Sequence, residues 1–183
     1  MRKVVVTEFM SLDGVIESPE KWSFPYWNDE IENFKNAELA ATGALLLGRN
    51  TYEAFAAAWP TRSGAFADRM NSLPKYVASS TLDAVHWQSA SLLGQALPDA
   101  MAQLKQDEGK DIVVHGSAAL AQSLMRHDLV DQYSLLVYPT ILGTGKRLFK
   151  PGQQAKLKLA GSTMFSSGVV ALTYHRAASE PGA

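Results

Sequence analysis

Apolar residues follow two rhythms along the chain. Short runs rich in Val, Leu and Ile occur at 2–10, 43–48, 75–79 and 112–115, as expected of strands buried on both faces. Between them, apolar positions recur at helical spacing. Ile31, Phe34 and Leu39 mark 28–41; Tyr52, Phe55 and Ala58 precede Pro60; a short segment covers 64–72; Leu97, Met101 and Leu104 mark 94–106; and a further run spans 118–126. This alternation predicts an α/β fold with a largely parallel sheet. Asn50 with Glu53 three residues later has the form of a capping box, which starts the second helix just after Asn50. A weaker strand is expected at 84–87. Beyond residue 130, strand-like segments at 131–138, 155–160 and 169–176 follow one another without a long helix, which predicts antiparallel pairing at one side of a mixed sheet.

Two segments fall outside both rhythms. Ser11-Leu12-Asp13-Gly14 supplies turn chemistry, and the aromatic stretch Trp22, Phe24, Pro25, Tyr26, Trp27 reads as an ordered loop packed on something. No repeat, low-complexity tract or linker divides the chain. One domain over 1–176 is expected, with 177–183 as a disordered tail.

Composition narrows the chemistry. The 183 residues are 46% hydrophobic and 19% charged with a net charge of −1, and Lys and Arg are scattered. No basic stripe points to nucleic acid or an anionic membrane, so a small-molecule partner is expected. Cys is absent and His86, His115, His127 and His175 are dispersed, so neither a thiol nucleophile nor a protein-bound transition metal is expected. Thr7 and Glu8 interrupt the N-terminal apolar run before a signal-peptide core forms, and no run approaches the ~20 residues of a membrane span. A cytoplasmic protein is the expectation.

The strands at 43–48, 75–79 and 112–115 each stop at Gly or Ser, and two of them lead directly into a helix. Strand ends of an open α/β sheet line one crevice, where backbone N–H groups and helix dipoles favour an anion. Gly48 permits close backbone approach, Arg49 offers a charged fork suited to phosphate, and Thr51 lies in the first helical turn. Ser79 and Ser80 add neutral donors, and Gly116-Ser117 repeats the helix-start arrangement. Each feature alone also fits ordinary turn geometry or an N-cap at Ser117. GTGK at 143–146 is no P-loop, since Thr140 stands where the first Gly belongs and Arg147 where Ser or Thr belongs. GxGxxG after a strand and GxSxG are both absent.

Five blocks in order, VVVTEFMSLDGVIE, LLLGRNTYE, KYVASSTL, VVHGSAALAQSL and LVDQYSLLVYPTILGTGKRLF, make the chain resemble the dihydrofolate reductase-like proteins. The branch it is most similar to is the reductase domain of the bifunctional riboflavin-biosynthesis deaminase/reductase. The resemblance covers nearly the whole chain. It implies a three-layer α/β fold, with a mixed, mainly parallel sheet of about eight strands, and NADPH lying along the strand ends. Gly48, Arg49 and Thr51 then match the phosphate cradle, Ser79 and Ser80 the adenosine-phosphate side, and Gly116, Ser117 and Ala118 the pyrophosphate loop. Phe9, Asp13 and Ile16 match the nicotinamide end, with 139–143, including Ile141 and Gly143, closing one side. Trp22 and Trp27 become a lid or substrate platform, or else pack at a dimer interface.

Hydride transfer also needs a proton source. Glu30 falls closest to the acid that dihydrofolate reductases carry on the helix after the lid, although a charge favouring a helix N-terminus would look the same. Asp13 is the second candidate, or forms an Asx-turn before Gly14. The Cys/His zinc site of the riboflavin deaminase cannot be built without Cys. Folate reduction is not expected, because no clear Arg or Lys awaits a glutamate tail. The expected activity is NADPH-dependent reduction of a small pyrimidine- or pterin-like ring or a carbonyl. The alternative is a nucleotide-binding or sensor protein of the same fold without turnover. By analogy, a homodimer joined through the strands near 155–176 is expected.

Overall fold

A computed structural model describes residues 1–94 and 96–177. The strands are β1 (Val4–Ser11), β2 (Thr42–Gly48), β3 (Lys75–Ala78), β4 (Ala90–Leu92), β5 (Asp111–His115), β6 (Gln132–Tyr138), β7 (Leu157–Met164) and β8 (Val170–Arg176). The helices are α1 (Asp29–Ala41), α2 (Arg49–Ala58), α3 (Ala65–Ser72), α4 (Leu97–Gln106) and α5 (Ala118–Arg126). The expected tail beyond residue 177 lies outside the described residues.

One eight-stranded sheet has the order β4-β3-β2-β5-β1-β6-β8-β7 among these residues. The first six strands are parallel, and β8 then pairs antiparallel with both β6 and β7. Side chains alternate across the sheet. Val4, Val6, Leu46, Ile112, Val114 and Leu135 pack with α4 and α5 on one face. Leu45, Leu47 and Val77 pack with α2 and α3 on the other, while Leu136 and Tyr138 meet Ile31 and Phe34 of α1. Covered on both faces, the central strands carry the continuous apolar runs seen in the sequence.

Four local expectations change in the structure. The helix after β2 starts at Arg49, with Gly48 as its extended N-cap, so Asn50 lies inside it and caps nothing. Glu53 instead accepts from Arg49 Nε at 2.9 Å. Residues 84–87 form no strand. Their backbone is held by the Tyr52 hydroxyl, which accepts from His86 N at 2.8 Å and Trp87 N at 3.2 Å, and the ladder is made at β4. The helix over 94–106 begins only at Leu97, where Pro98 supplies the fixed φ of a first turn. β7 is longer than 155–160 and lies at the sheet edge, with Leu159 and Met164 exposed.

Candidate functional site

β5 is the shortest of the central strands at its carboxyl end. β1 pairs with it only as far as Thr7 against His115, yet continues along β6 to Ser11 against Tyr138. The two strands therefore part at Glu8 and Gly116 on the carboxyl edge, and in open α/β sheets that edge is the crevice where ligands bind.

The strand-end residues meet on one side of this opening. At Gly48 an added Cβ would lie 2.0 Å from Ser117 Oγ, and at Gly116 it would lie 2.9 Å from Thr51 Oγ1. The β2–α2 and β5–α5 junctions thus touch through their glycines, leaving no room for larger residues. Gly116 and Ser117 both adopt left-handed backbone, φ 61° and 62°, and for Ser this is a strained conformation of the kind found at ligand sites. Ser117 makes no side-chain cap to α5, which removes the N-cap explanation, and Ala118 opens that helix. Arg49 spans to the β3 end, donating from Nη1 to Thr81 Oγ1 at 3.0 Å. The Ser79 hydroxyl accepts from the backbone of Thr81 and Leu82 at 3.2 and 3.1 Å, so it shapes this turn, while Ser80 is exposed. Thr81, unmarked in the sequence reading, is the residue that meets Arg49.

The nicotinamide-end residues divide. Phe9 faces Trp27 and Tyr138, with ring centroids 6.1 and 5.5 Å away. Trp22 sets its edge on Tyr138 and donates to Glu17 O at 2.9 Å. Ile16 is buried in the α4/α5-side core, whereas Ile141 is 72% exposed.

Both acidic candidates are hydrogen-bonded as carboxylates. The Asp13 carboxylate accepts from Ser11 Oγ at 2.7 Å, Leu142 N at 3.1 Å and Gly143 N at 3.0 Å, and pairs with Arg147. The Ser11 hydroxyl first, then the Leu142 amide, pull its pKa down to about 2. Asp13 therefore clips the 140–147 loop to the SLDG turn as an ionised group. Glu30 accepts from the Ser166 hydroxyl and from Ser166 N, and these bonds hold its pKa below the usual carboxylate range. It ties the start of α1 to the β7–β8 turn. Hydrogen bonds to the charged form oppose protonation of both carboxylates.

The carboxyl whose pKa is raised lies elsewhere. Glu8 is buried where β1 and β5 part, its Oε1 has no hydrogen-bond partner, and burial raises its pKa to about 8 against the pull of Lys35. On the opposite sheet face, Thr7, His115 and Ser134 lie abreast on three adjacent strands. Above them α1 buries Lys35, whose ammonium binds Thr7 Oγ1 at 3.1 Å and the Glu38 carboxylate. Thr7 Oγ1 in turn donates to Glu38 at 2.9 Å. Signals for this group were present in the sequence: Thr7-Glu8 breaks an apolar strand, and Lys35 occupies the apolar stripe midway between Ile31 and Leu39.

Two other surface hollows lie outside the crevice, one lined by Met125, Tyr133 and Phe149, the other by Tyr52, Arg62 and Trp87. Neither contains the touching strand ends or the buried carboxyl.

Residues 2–171 match the model of the RibD C-terminal domain family. The uncharacterized protein YwjB of Bacillus subtilis (strain 168) is 30% identical over 173 residues, covering 92% of this chain and 95% of its own. A Shewanella sp. PV-4 protein, described provisionally as a riboflavin biosynthesis protein, has a similar structure: TM-score 0.79 at 22% identity, over 96% of this chain and 99% of its own. The Thermotoga maritima diaminohydroxyphosphoribosylaminopyrimidine deaminase/5-amino-6-(5-phosphoribosylamino)uracil reductase matches at TM-score 0.66 and 15% identity, over 96% of this chain and 57% of its own. The dihydrofolate reductase-like fold expected from the five sequence blocks is the fold observed.

Proposed function

The chain belongs to the RibD C-terminal domain family, and from that premise we propose that it is an NADPH-dependent reductase of a small heterocyclic or carbonyl substrate. The observation that carries this reading is the close contact of Gly48 with Ser117 and of Gly116 with Thr51, which brings the starts of α2 and α5 side by side at the carboxyl edge of the sheet. Two helix starts so placed suit a dinucleotide's phosphates, because their backbone N–H groups and dipoles favour an anion beside Arg49. Arg49, Thr51, Ser117 and Ala118 would hold the phosphates, with Thr81 steadying the Arg49 guanidinium.

When bound, the nicotinamide supplies the hydride. The chain's part is to orient the ring beside Phe9, to exclude water with Trp27 and Tyr138, and to keep a proton at hand. Burial raises the pKa of Glu8 to about 8, which makes it the buried proton reservoir nearest the parting of β1 and β5, although its side chain leaves the sheet on the face opposite Phe9. The family match and the Thermotoga likeness add weight to a pyrimidine reductase-like reading.

The test is a titration with NADPH and NADH followed through the fluorescence of the four Trp. NADPH is expected to bind in the micromolar range, and absence of binding below 1 mM (an order-of-magnitude threshold) rules out the cofactor. Arg49→Ala should weaken NADPH more than NADH if Arg49 meets the phosphate that distinguishes them; equal losses put it on the pyrophosphate. Binding without oxidation against a panel of pterins, aminopyrimidines and carbonyl compounds would leave the non-catalytic nucleotide-binding protein as the reading.

A further inference from the structure

At the amino edge of the sheet, away from the strand ends assigned to the cofactor, lies a hollow of about 480 Å³, within the roughly 300–1,000 Å³ of small-molecule sites. Four parts of the chain wall it. They are the last turn of α5 with Met125 and Arg126, Tyr133 near the start of β6, the paired residues Leu157 and Arg176 of β7 and β8, and Phe149 with the loop that follows it. Tyr138, at the other end of β6, stands opposite Ser11 at the crevice, so the strand from Tyr133 to Tyr138 separates the two places by roughly 17 Å.

Part of the lining is apolar. The Tyr133 and Phe149 ring centroids are 6.0 Å apart, and Phe149 leaves 38% of its surface uncovered. Tyr133 is only 4% exposed, yet its hydroxyl makes no hydrogen bond among the described residues. Burial raises its pKa to about 12 against the pull of Arg176, so the group stays a donor at physiological pH. A buried hydroxyl left unmet is costly, and the hollow that Tyr133 lines is the place for its partner.

The rest of the lining is charged. Arg176 is already engaged, with Nη2 on the Asp128 carboxylate at 2.9 Å and Nη1 donating to Asp128 O at 3.0 Å. Arg126 has neither an ion pair nor a hydrogen bond among the described residues. With Asp128 and Arg176 neutralising each other, Arg126 leaves the hollow one positive charge in excess.

We propose that this hollow is a second ligand site, separate from the cofactor crevice, and that it takes a small carboxylic acid bearing an aromatic ring. The ring covers Phe149 and Met125, and the carboxylate accepts from the Tyr133 hydroxyl and from Arg126. A cationic ligand of the same shape meets the excess positive charge and finds the Asp128 carboxylate held by Arg176.

3-Phenylpropanoate and 3-phenylpropanamide share a ring and a chain length and differ in charge. Calorimetry on the full chain measures their binding, and backbone amide NMR shifts locate it. The acid is expected to bind with a Kd below about 1 mM and the amide roughly tenfold more weakly. Amides of Phe149, Gln153 and Leu157 should shift, while those of Gly48 and Gly116 stay in place. Arg126→Gln should bring acid and amide within about twofold of each other. Tyr133→Phe keeps the ring and should weaken the acid roughly fivefold. No binding of the acid at several millimolar, equal affinity for the amide, unchanged affinities in both variants, or shifts centred on Gly48 and Gly116 overturns the proposal. None of these readouts involves NADPH, so the site stands or falls apart from the cofactor reading.

Discussion

At the scale of the residue, the site is defined by what cannot be added to it. A methyl group at Gly48 would lie 2.7 Å from Ser117 Cβ as well as 2.0 Å from its hydroxyl, so rotating the hydroxyl away does not relieve the clash. Overpacking of this kind typically costs about 1–3 kcal/mol. Gly48→Ala is expected to lose stability in that range by urea unfolding and to weaken NADPH, because the two strand–helix junctions must separate. Ser117→Gly should recover most of the loss in the double variant, since Gly also accepts the left-handed φ at 117. No recovery would mean that the damage arises within β2. Gly48, Gly116 and Ser117 are legible in the sequence because Gly and Ser at strand ends are local signals. Their contact is not, since it depends on β2 and β5 being neighbours in the sheet.

Among the elements, the SLDG turn and the GTGK stretch explain each other. Ile16 N donates to Lys146 O at 2.9 Å, Leu148 N donates to Gly14 O at 3.1 Å, and an added Cβ at Gly145 would lie 2.6 Å from Val15 Cγ1. GTGK is thus a turn laid on the strap that follows β1, and Asp13 is its fastener. Asp13→Ala is expected to raise amide hydrogen exchange at Leu142 and Gly143 by at least about tenfold, with slow exchange retained across β1 and β6. Unchanged exchange at both amides would deny Asp13 the clip role and reopen it as a reacting group. Helices and central strands were legible because their apolar spacing is repeated and strong. The segment at 84–87 was misread because its backbone is held by the Tyr52 hydroxyl, a partner more than thirty residues away, and Asn50 because Gly48 had already begun the helix. Lys35 shows the same limit from the other side. Its place on the apolar stripe of α1 was visible, but its partners Thr7 and Glu38 converge only when α1 lies across β1.

For the whole molecule, these buried groups predict how stability depends on pH, and their signs differ. Glu8 has a folded pKa of about 8 against an ordinary 4.5. Between those values the folded chain keeps a proton that the unfolded chain has released, so stability falls as pH rises, by about 1.4 kcal/mol per pH unit at most. His115 has a folded pKa of about 3 against 6.5; there the unfolded chain takes the proton first, and stability falls as pH drops below 6.5. From 4.5 to 6.5 the two slopes oppose each other. Lys75, buried against the carbonyls of Asn71, Leu73 and Gln88, has a pKa lowered to about 8 by burial, so its contribution rises with pH only above that value. The window from 6.5 to 8 is left to Glu8. Urea unfolding should therefore show a plateau near pH 5–6 and a decline toward pH 8. In Glu8→Gln, which keeps the shape and stays neutral, the decline should vanish, making the variant the more stable chain at pH 8 and leaving it close to the parent at pH 5. Parallel profiles for the two proteins would mean that Glu8 is ionised in the folded state, and with that the neutral carboxyl assigned to the crevice would be lost.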